Sequence, residues 1–229
     1  MNQSFRVAMK SAVAKVIPDI ARMDVLYNLP KIETWRKKYV GKDCPKFAER
    51  TELYDYLQAN VIQNRPIDYL EFGVFQGETI RHWSCINHHE QSRFFGFDTF
   101  TGLPEDWKKF SVLAKGTFDC GGVAPQLNDG RVQFVKGLFQ DTLDAFLAGF
   151  TPRSQLVLHN DSDLYSATLY VLTRCHDVLV PGTIVIFDEF SSVLNEFRAL
   201  DDYCVSYRRT YEVLGVTNAY FAQVAIRFL

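Results

Sequence analysis

The chain has 229 residues, and its 25 basic and 27 acidic side chains nearly cancel to a formal charge of −2. That balance excludes a general nucleic-acid binder, which needs a basic excess. With 47% apolar and 23% charged residues the composition excludes a disordered or fibrous chain, and the length suits one α/β domain with some decoration. The five cysteines (Cys44, Cys85, Cys120, Cys175 and Cys204) form no C-x-x-C pair, as expected of free thiols in a reducing compartment. No apolar run approaches the ~20 residues of a membrane helix. Arg6, Lys10, Lys15, Asp19 and Arg22 interrupt any signal-peptide core. The expectation is a cytoplasmic protein with no membrane or nucleic-acid partner.

Residues 5–28 place Met9, Val13, Val16, Ile20 and Met23 on one helical stripe, which Pro18 bends or splits. Such a helix suits a cover for the core or the seam of a homo-oligomer. Residues 33–43 read as a solvated charged loop or helix end. Lys46 to Ile62 read as a helix with Phe47, Leu53, Tyr54, Leu57 and Val61 on its apolar face. The division expected is a helical cap over residues 1–62, part of the same unit, and a main domain over residues 63–229.

From residue 67 short apolar runs alternate with helical stretches. IDYLEFGV, RFFGFDTF, RVQFVKG, QLVLHND and TIVIFDEF read as buried strands, with helices over Thr79 to His89, Asp141 to Ala148 and Ser166 to Leu179. Residues 101–130 are glycine-containing and irregular, the pattern of a lid or substrate loop. TYEVLGVT and AQVAIRFL form a terminal hairpin, hence antiparallel strands. The fold class is therefore α/β, a doubly wound, Rossmann-like and mostly parallel seven-stranded sheet that ends in an antiparallel hairpin.

The first strand runs into Glu71-Phe72-Gly73-Val74-Phe75-Gln76-Gly77-Glu78-Thr79. Glycines at 73 and 77 allow a sharp turn, but their spacing is not the G-x-G-x-x-G of a pyrophosphate cradle. An acid ahead of the turn suits a cationic amino group. Asp98 ends the next strand, where an acid in such folds accepts from ribose hydroxyls. Ribose plus ammonium without pyrophosphate points to S-adenosylmethionine rather than a nicotinamide cofactor. The cofactor-binding set is Glu71, Gly73, Gly77, Thr79, Asp98 and Thr99. Residues Phe139 to Thr142 are a further candidate contact for adenine.

The fourth and fifth strands end in His159-Asn160-Asp161-Ser162-Asp163 and Phe187-Asp188-Glu189. Asp161, Asp163, Asp188 and Glu189 thus gather at the carboxyl edge of the sheet, where like charges are costly unless a cation neutralises them. Oxygen ligands without cysteine suit a hard divalent ion, magnesium first, with calcium or manganese as alternatives. His159 alternates with Asp161 and is a candidate base, a ligand-orienting group or a buried structural histidine.

YLEFGVFQGET, GFDTFTGLPEDW, GLFQDTL, the D-x-D-L-Y-S-x-T block and PGTIVIFDEF, in that order over residues 67–203, resemble the macrocin O-methyltransferase (TylF-type) family. The resemblance implies a class I methyltransferase fold and magnesium-dependent transfer from S-adenosylmethionine to a hydroxyl, typically on a sugar of a natural product. Carried over by position, it implies Asp161, Asp188 and Glu189 as metal ligands and Asp163 as general base. Glu189 departs from the second aspartate usual in the family and is one methylene longer. The partner expected is a small hydroxyl acceptor, a glycoside by preference. Two competing readings are a metal-independent transfer with His159 or Asp163 as base, and a non-catalytic module that binds S-adenosylmethionine.

Overall fold

The structure is a computed structural model that describes residues 21–108, 112–218 and 220–229. Most of the helix expected over residues 5–28 lies outside the described residues. Helix α1 (Ala21–Tyr39) continues into the stretch read as a charged loop or helix end and ends within it. The charges there lie on its outer face, where Arg36 donates to Glu33 at 2.6 and 2.7 Å, while Ile32 and Trp35 are buried beneath. Trp35 packs against Phe190 with ring centroids 4.6 Å apart and donates from Nε1 to the Tyr211 hydroxyl at 2.9 Å.

The stretch expected to be one helix over residues 46–62 divides. Lys46–Phe47 form a short strand, β1, and the helix α2 (Arg50–Tyr56) follows, widening into a π-helical stretch over Leu57–Ile62. A reciprocal capping box between Glu49 and Glu52 starts α2 at Arg50 rather than at Lys46. The remaining order is β2 (Ile67–Phe72), α3 (Glu78–Ile86), β3 (Arg93–Asp98), β4 (Trp107–Lys108), β5 (Val112–Leu113), β6 (Val132–Lys136), α4 (Phe139–Gly149), β7 (Gln155–Asn160), α5 (Tyr165–Arg174), β8 (Ile184–Phe187), α6 (Glu196–Tyr207), β9 (Tyr211–Thr217) and β10 (Val224–Phe228). Strands β4 and β5 pair as a small ribbon inside the expected lid.

The main sheet has eight strands in the order β1-β9-β10-β8-β7-β2-β3-β6, one more than the seven expected. The addition is β1, paired parallel to the edge of β9. Only β10 runs against its neighbours, so the terminal hairpin is antiparallel as expected. Helix α6, unforeseen in the sequence, buries Phe197, Leu200 and Tyr203 at helical spacing.

All six residues of β2 are buried, as in a central strand covered on both faces. On one face Leu70, Phe72, Leu158, Val185 and Phe187 pack beneath α1, α4, α5 and α6. On the other, Tyr69, Val157, Ile184 and Ile186 pack against Leu53, Tyr54, Ile80 and Trp83 of α2 and α3. Strand order reverses between β2 and β7, which opens a crevice at their carboxyl ends. Among the described residues no helix is long and apolar enough to cross a membrane.

At the opposite end of β2 the fully buried Asp68 accepts from Arg93 Nε at 2.7 Å and from the backbone N–H groups of Arg153 and Ser154 at 2.6 and 3.0 Å. It ties β2 to β3 and to the entry of β7. Removing it strands two backbone N–H donors and one arginine, so Asp68→Ala is expected to cost about 3 kcal/mol, read from urea denaturation midpoints.

Candidate active site

The crevice widens into a cleft of about 550 Å³, in the size range of small-molecule sites. Its floor comes from three strand ends: Gly73 after β2, Asp161 and Asp163 after β7, and Asp188 and Glu189 after β8. Leu103, Pro104 and Trp107 of the expected lid form an apolar wall, and Leu138, Phe139 and Gln140 approach from the start of α4. Phe75 and Phe118 meet edge to face at 5.5 Å on another wall.

Gly73 holds the floor closed. Its φ is +92°, and a Cβ there would stand 1.8 Å from the Asp161 carbonyl oxygen. Only glycine lets the end of β2 come so close to the end of β7. Asp98 accepts from the backbone N–H groups of Val74 and Phe75 through Oδ2, at 2.8 and 2.9 Å, and from Phe100 through Oδ1 at 2.7 Å. Asp98 therefore clamps the glycine turn, and it also lines the cleft together with Thr99. Gly77 caps α3 in the left-handed region at φ +75° and Thr79 is buried in its first turn; neither lines the cleft.

Asp163 sits in the left-handed region with φ +62°, a conformation that aspartate tolerates better than most side chains. The cap position of α5 is taken by Leu164, not by Asp163. Behind this turn Asn160 donates to Thr168 at 3.0 Å and to Glu196 at 2.9 Å, while Glu196 accepts the Glu189 backbone N–H at 2.8 Å. Helix α6 thereby fixes the backbone from which Glu189 projects.

Asp188 accepts from the Tyr54 hydroxyl at 2.9 Å and faces Arg50 at 3.5 Å. Burial disfavours its charge, but hydrogen bonding to His159, the charges of His159 and Arg50, and the Tyr54 hydroxyl outweigh burial and hold its carboxyl below the ordinary range. Asp161 goes the other way: burial, then repulsion from Asp188 and Asp163, pushes it well above that range. Among the described residues no group of acids, histidines and cysteines surrounds a common point in the manner of a metal site. Among the described residues Arg50 is the basic side chain on the cleft wall, and it also faces Glu78 at 3.6 Å. Nothing in the sequence distinguishes Arg50 from any other charge at a helix start; the packing of α2 over the ends of β7 and β8 places it.

Two of the expected site residues lie beneath the cleft rather than on it. Glu71 and His159 are fully buried and do not line it. The Tyr69 hydroxyl lies 2.6 Å from Glu71 Oε2 and 2.8 Å from His159 Nδ1. Burial holds both the Tyr54 and the Tyr69 phenols well above their usual range and pulls the imidazole of His159 down. Burial, reinforced by Asp188, raises Glu71 from its ordinary 4.5 to about 8 against the opposing pull of Tyr69 and the Ile80 backbone N–H. Tyr165, Phe100 and Phe190, candidate walls by sequence, do not line the cleft either.

A family model described as "Methyltransferase domain" matches residues 70–190. The chain is similar to the 8-demethyl-8-(2,3-dimethoxy-alpha-L-rhamnosyl)-tetracenomycin-C 4'-O-methyltransferase of Streptomyces olivaceus, at 27% identity over 67% of each chain. Among solved structures it is similar to the O-methyltransferase NovP, at 24% identity and a TM-score of 0.60 over 78% of each chain. It is also similar to the calicheamicin methyltransferase CalS11, at 21% identity and a TM-score of 0.60 over 99% of this chain and 94% of that one. These two structures share its fold.

The raised carboxyl of Glu71 carries a stability consequence. Folding favours its protonated form, so its contribution is complete below pH 4.5 and is lost as pH rises through about 8. One proton gives at most about 1.4 kcal/mol per pH unit. Glu71→Gln is expected to flatten the fall in stability across this window, measured as denaturation midpoints against pH.

Proposed function

We propose, since the chain belongs to the methyltransferase-domain family, that this cleft moves a methyl group from S-adenosylmethionine to a hydroxyl of a sugar carried by a natural product. The observation that carries the reading is the meeting of four acids with apolar walls at the switch point of the sheet. The acids suit a cofactor that is positive at sulfur and at its amino group, and the apolar walls suit its adenosine and the body of a glycoside. The relative from Streptomyces is named for methylating a rhamnosyl group, and the motifs that resemble the macrocin family support the same class of acceptor.

Gly73, Asp98 and Thr99 are the residues proposed to face the cofactor, with Gly77 and Thr79 shaping the turn behind them. Asp98 keeps about one lone-pair site, on Oδ1, for a ribose hydroxyl after holding its three backbone donors. S-adenosylmethionine, when bound, supplies an electrophilic methyl group on a sulfonium. The acceptor hydroxyl must shed a proton as it attacks, and Asp163, on the cleft floor, is the proposed base. His159 is sealed from the cleft and is not assigned that role.

Asp161, Asp188 and Glu189 are the residues proposed to hold a divalent cation, magnesium by the hardness of their oxygens. Their oxygens are of the hard kind such an ion takes, and burial together with repulsion from Asp188 and Asp163 raises Asp161 above the ordinary carboxylate range, although among the described residues these acids do not surround a common point. The ion would supply Lewis acidity at the acceptor oxygen.

EDTA is expected to abolish transfer from radiolabelled S-adenosylmethionine to a rhamnosylated aromatic polyketide, with magnesium restoring it. Asp163→Asn is expected to lower kcat about 100-fold or more while calorimetric binding of S-adenosylhomocysteine is unchanged. Wild-type protein that does not bind S-adenosylhomocysteine would overturn the transfer reading. Full activity in EDTA would remove the cation and leave Arg50 as the positive charge beside Asp188.

A further inference from the structure

Strand β8 ends at Phe187, and the chain then leaves the sheet. The Asp188 N–H still continues the ladder, donating to the Asn160 carbonyl of β7 at 3.0 Å. The next peptide unit consists of the Asp188 carbonyl and the Glu189 N–H, and side chains take the place of strand partners for both. The Asp188 carbonyl accepts from Gln223 Nε2 at 3.0 Å, and the Glu189 N–H donates to Glu196 Oε2 at 2.8 Å. Glu196 is fully buried and Gln223 half-buried, and neither lines the cleft that Asp188 and Glu189 line.

Each holder is itself held. Gln223 ends the loop of the terminal hairpin, 35 residues beyond Asp188. Thr217, the buried last residue of β9, accepts from the Gln223 N–H and donates from its hydroxyl to Gln223 Oε1, both at 3.0 Å. The chemistry of the groups fixes this arrangement. A backbone carbonyl only accepts, so the Gln223 amide must turn Nε2 toward Asp188 and Oε1 toward the Thr217 hydroxyl. The same loop grips the exit of β8 a second time, where the Phe190 N–H donates to the Ala222 carbonyl at 2.7 Å. On the other side Glu196 Oε1 accepts from Asn160 Nδ2 at 2.9 Å, so its two oxygens join the turn after β7 to the turn after β8.

We propose that Gln223, supported by Thr217, is a positioning residue of the transfer, completing with Glu196 a clamp on the peptide between Asp188 and Glu189. The inference rests on the transfer reading for its effect on catalysis, and the clamp itself does not. Anchoring the main chain fixes both acids while occupying none of their own carboxyl oxygens. A shift of that peptide would carry both acids with it, and a misplacement of about 1 Å at a reacting site costs roughly 100-fold in rate. The terminal hairpin is thereby part of the site and not only the flank of the sheet.

Amide hydrogen exchange of the ligand-free protein, resolved by NMR, tests the clamp without any assay of transfer. The Glu189 N–H is expected to exchange slowly in the wild type and at least about tenfold faster in Gln223→Leu, with the Ile186 N–H inside β8 within about twofold. A fast-exchanging wild-type Glu189 N–H, or one equally slow in Gln223→Leu, would overturn the clamp whether or not the protein is a methyltransferase. Thr217→Val keeps the volume and Thr217→Ser keeps the hydroxyl, so the pair separates the hydrogen bond from packing. Gln223→Leu and Thr217→Val are expected to lower kcat on the rhamnosylated acceptor at least about tenfold, and Thr217→Ser to stay within about threefold. The calorimetric Kd of S-adenosylhomocysteine is expected within about twofold of wild type in all three, since they act on the far side of the floor. An unchanged kcat in folded Gln223→Leu protein, or a greater loss in Thr217→Ser than in Thr217→Val, would overturn the positioning role. Failure of the wild type to bind S-adenosylhomocysteine would sink the transfer reading alone, and the exchange rates would still decide for or against the clamp.

Discussion

A carboxylate taken out of water must be met by donors or by a cation, and the carboxyl edge of this sheet brings several together. The structure meets each of them differently. Asp98 is satisfied by three backbone N–H groups and in return holds the glycine turn. Glu196 takes one side-chain amide and one backbone N–H and so ties α6 to the exit of β8. Asp188 receives a phenol and faces a guanidinium, both from α2. Asp161, buried and repelled by Asp188 and Asp163, has its charge strongly disfavoured. The ends of β7 and β8, the start of α6 and the seat of α2 all follow from how these acids are met.

The same constraint explains why α2 matters beyond its apolar face. Leu53 and Leu57 bury it against the sheet, while Arg50 and Tyr54 reach the strand ends from above. Packing and electrostatics are carried by one short helix, and its capping box sets where Arg50 begins it. At the other end of β2, the buried Asp68 performs a similar task with Arg93 and two backbone donors, tying the central strand to β3 and to the entry of β7.

Most of the architecture was legible in the amino-acid order, because a strand buried on both faces leaves an apolar run that solvent-exposed segments do not imitate. The five parallel strands, the helices that follow three of them and the terminal hairpin could all be read that way. So could the acids after β7 and β8, since strand ends in a doubly wound sheet share one edge. Helix α6 was hidden because Glu196, Asp201 and Asp202 dilute its apolar stripe, and β1 because two residues have no period to detect.

What the sequence determined by itself was the parallel core, the reversal of strand order and the side chains available at the carboxyl edge, because these depend on local periodicity and on chain order. Tertiary structure alone decided which of those side chains face the cleft and which support it from beneath. Glu71 and Asp98 look alike in the sequence, each an acid at a strand end. One points into the layer beneath α2 and the other onto the glycine turn, a difference set by strand register and by the helix that covers each face. The placing of Arg50, 138 residues before the Asp188 it faces, is of the same kind. Such contacts arise only when the two faces of the sheet are covered, and no local pattern encodes them.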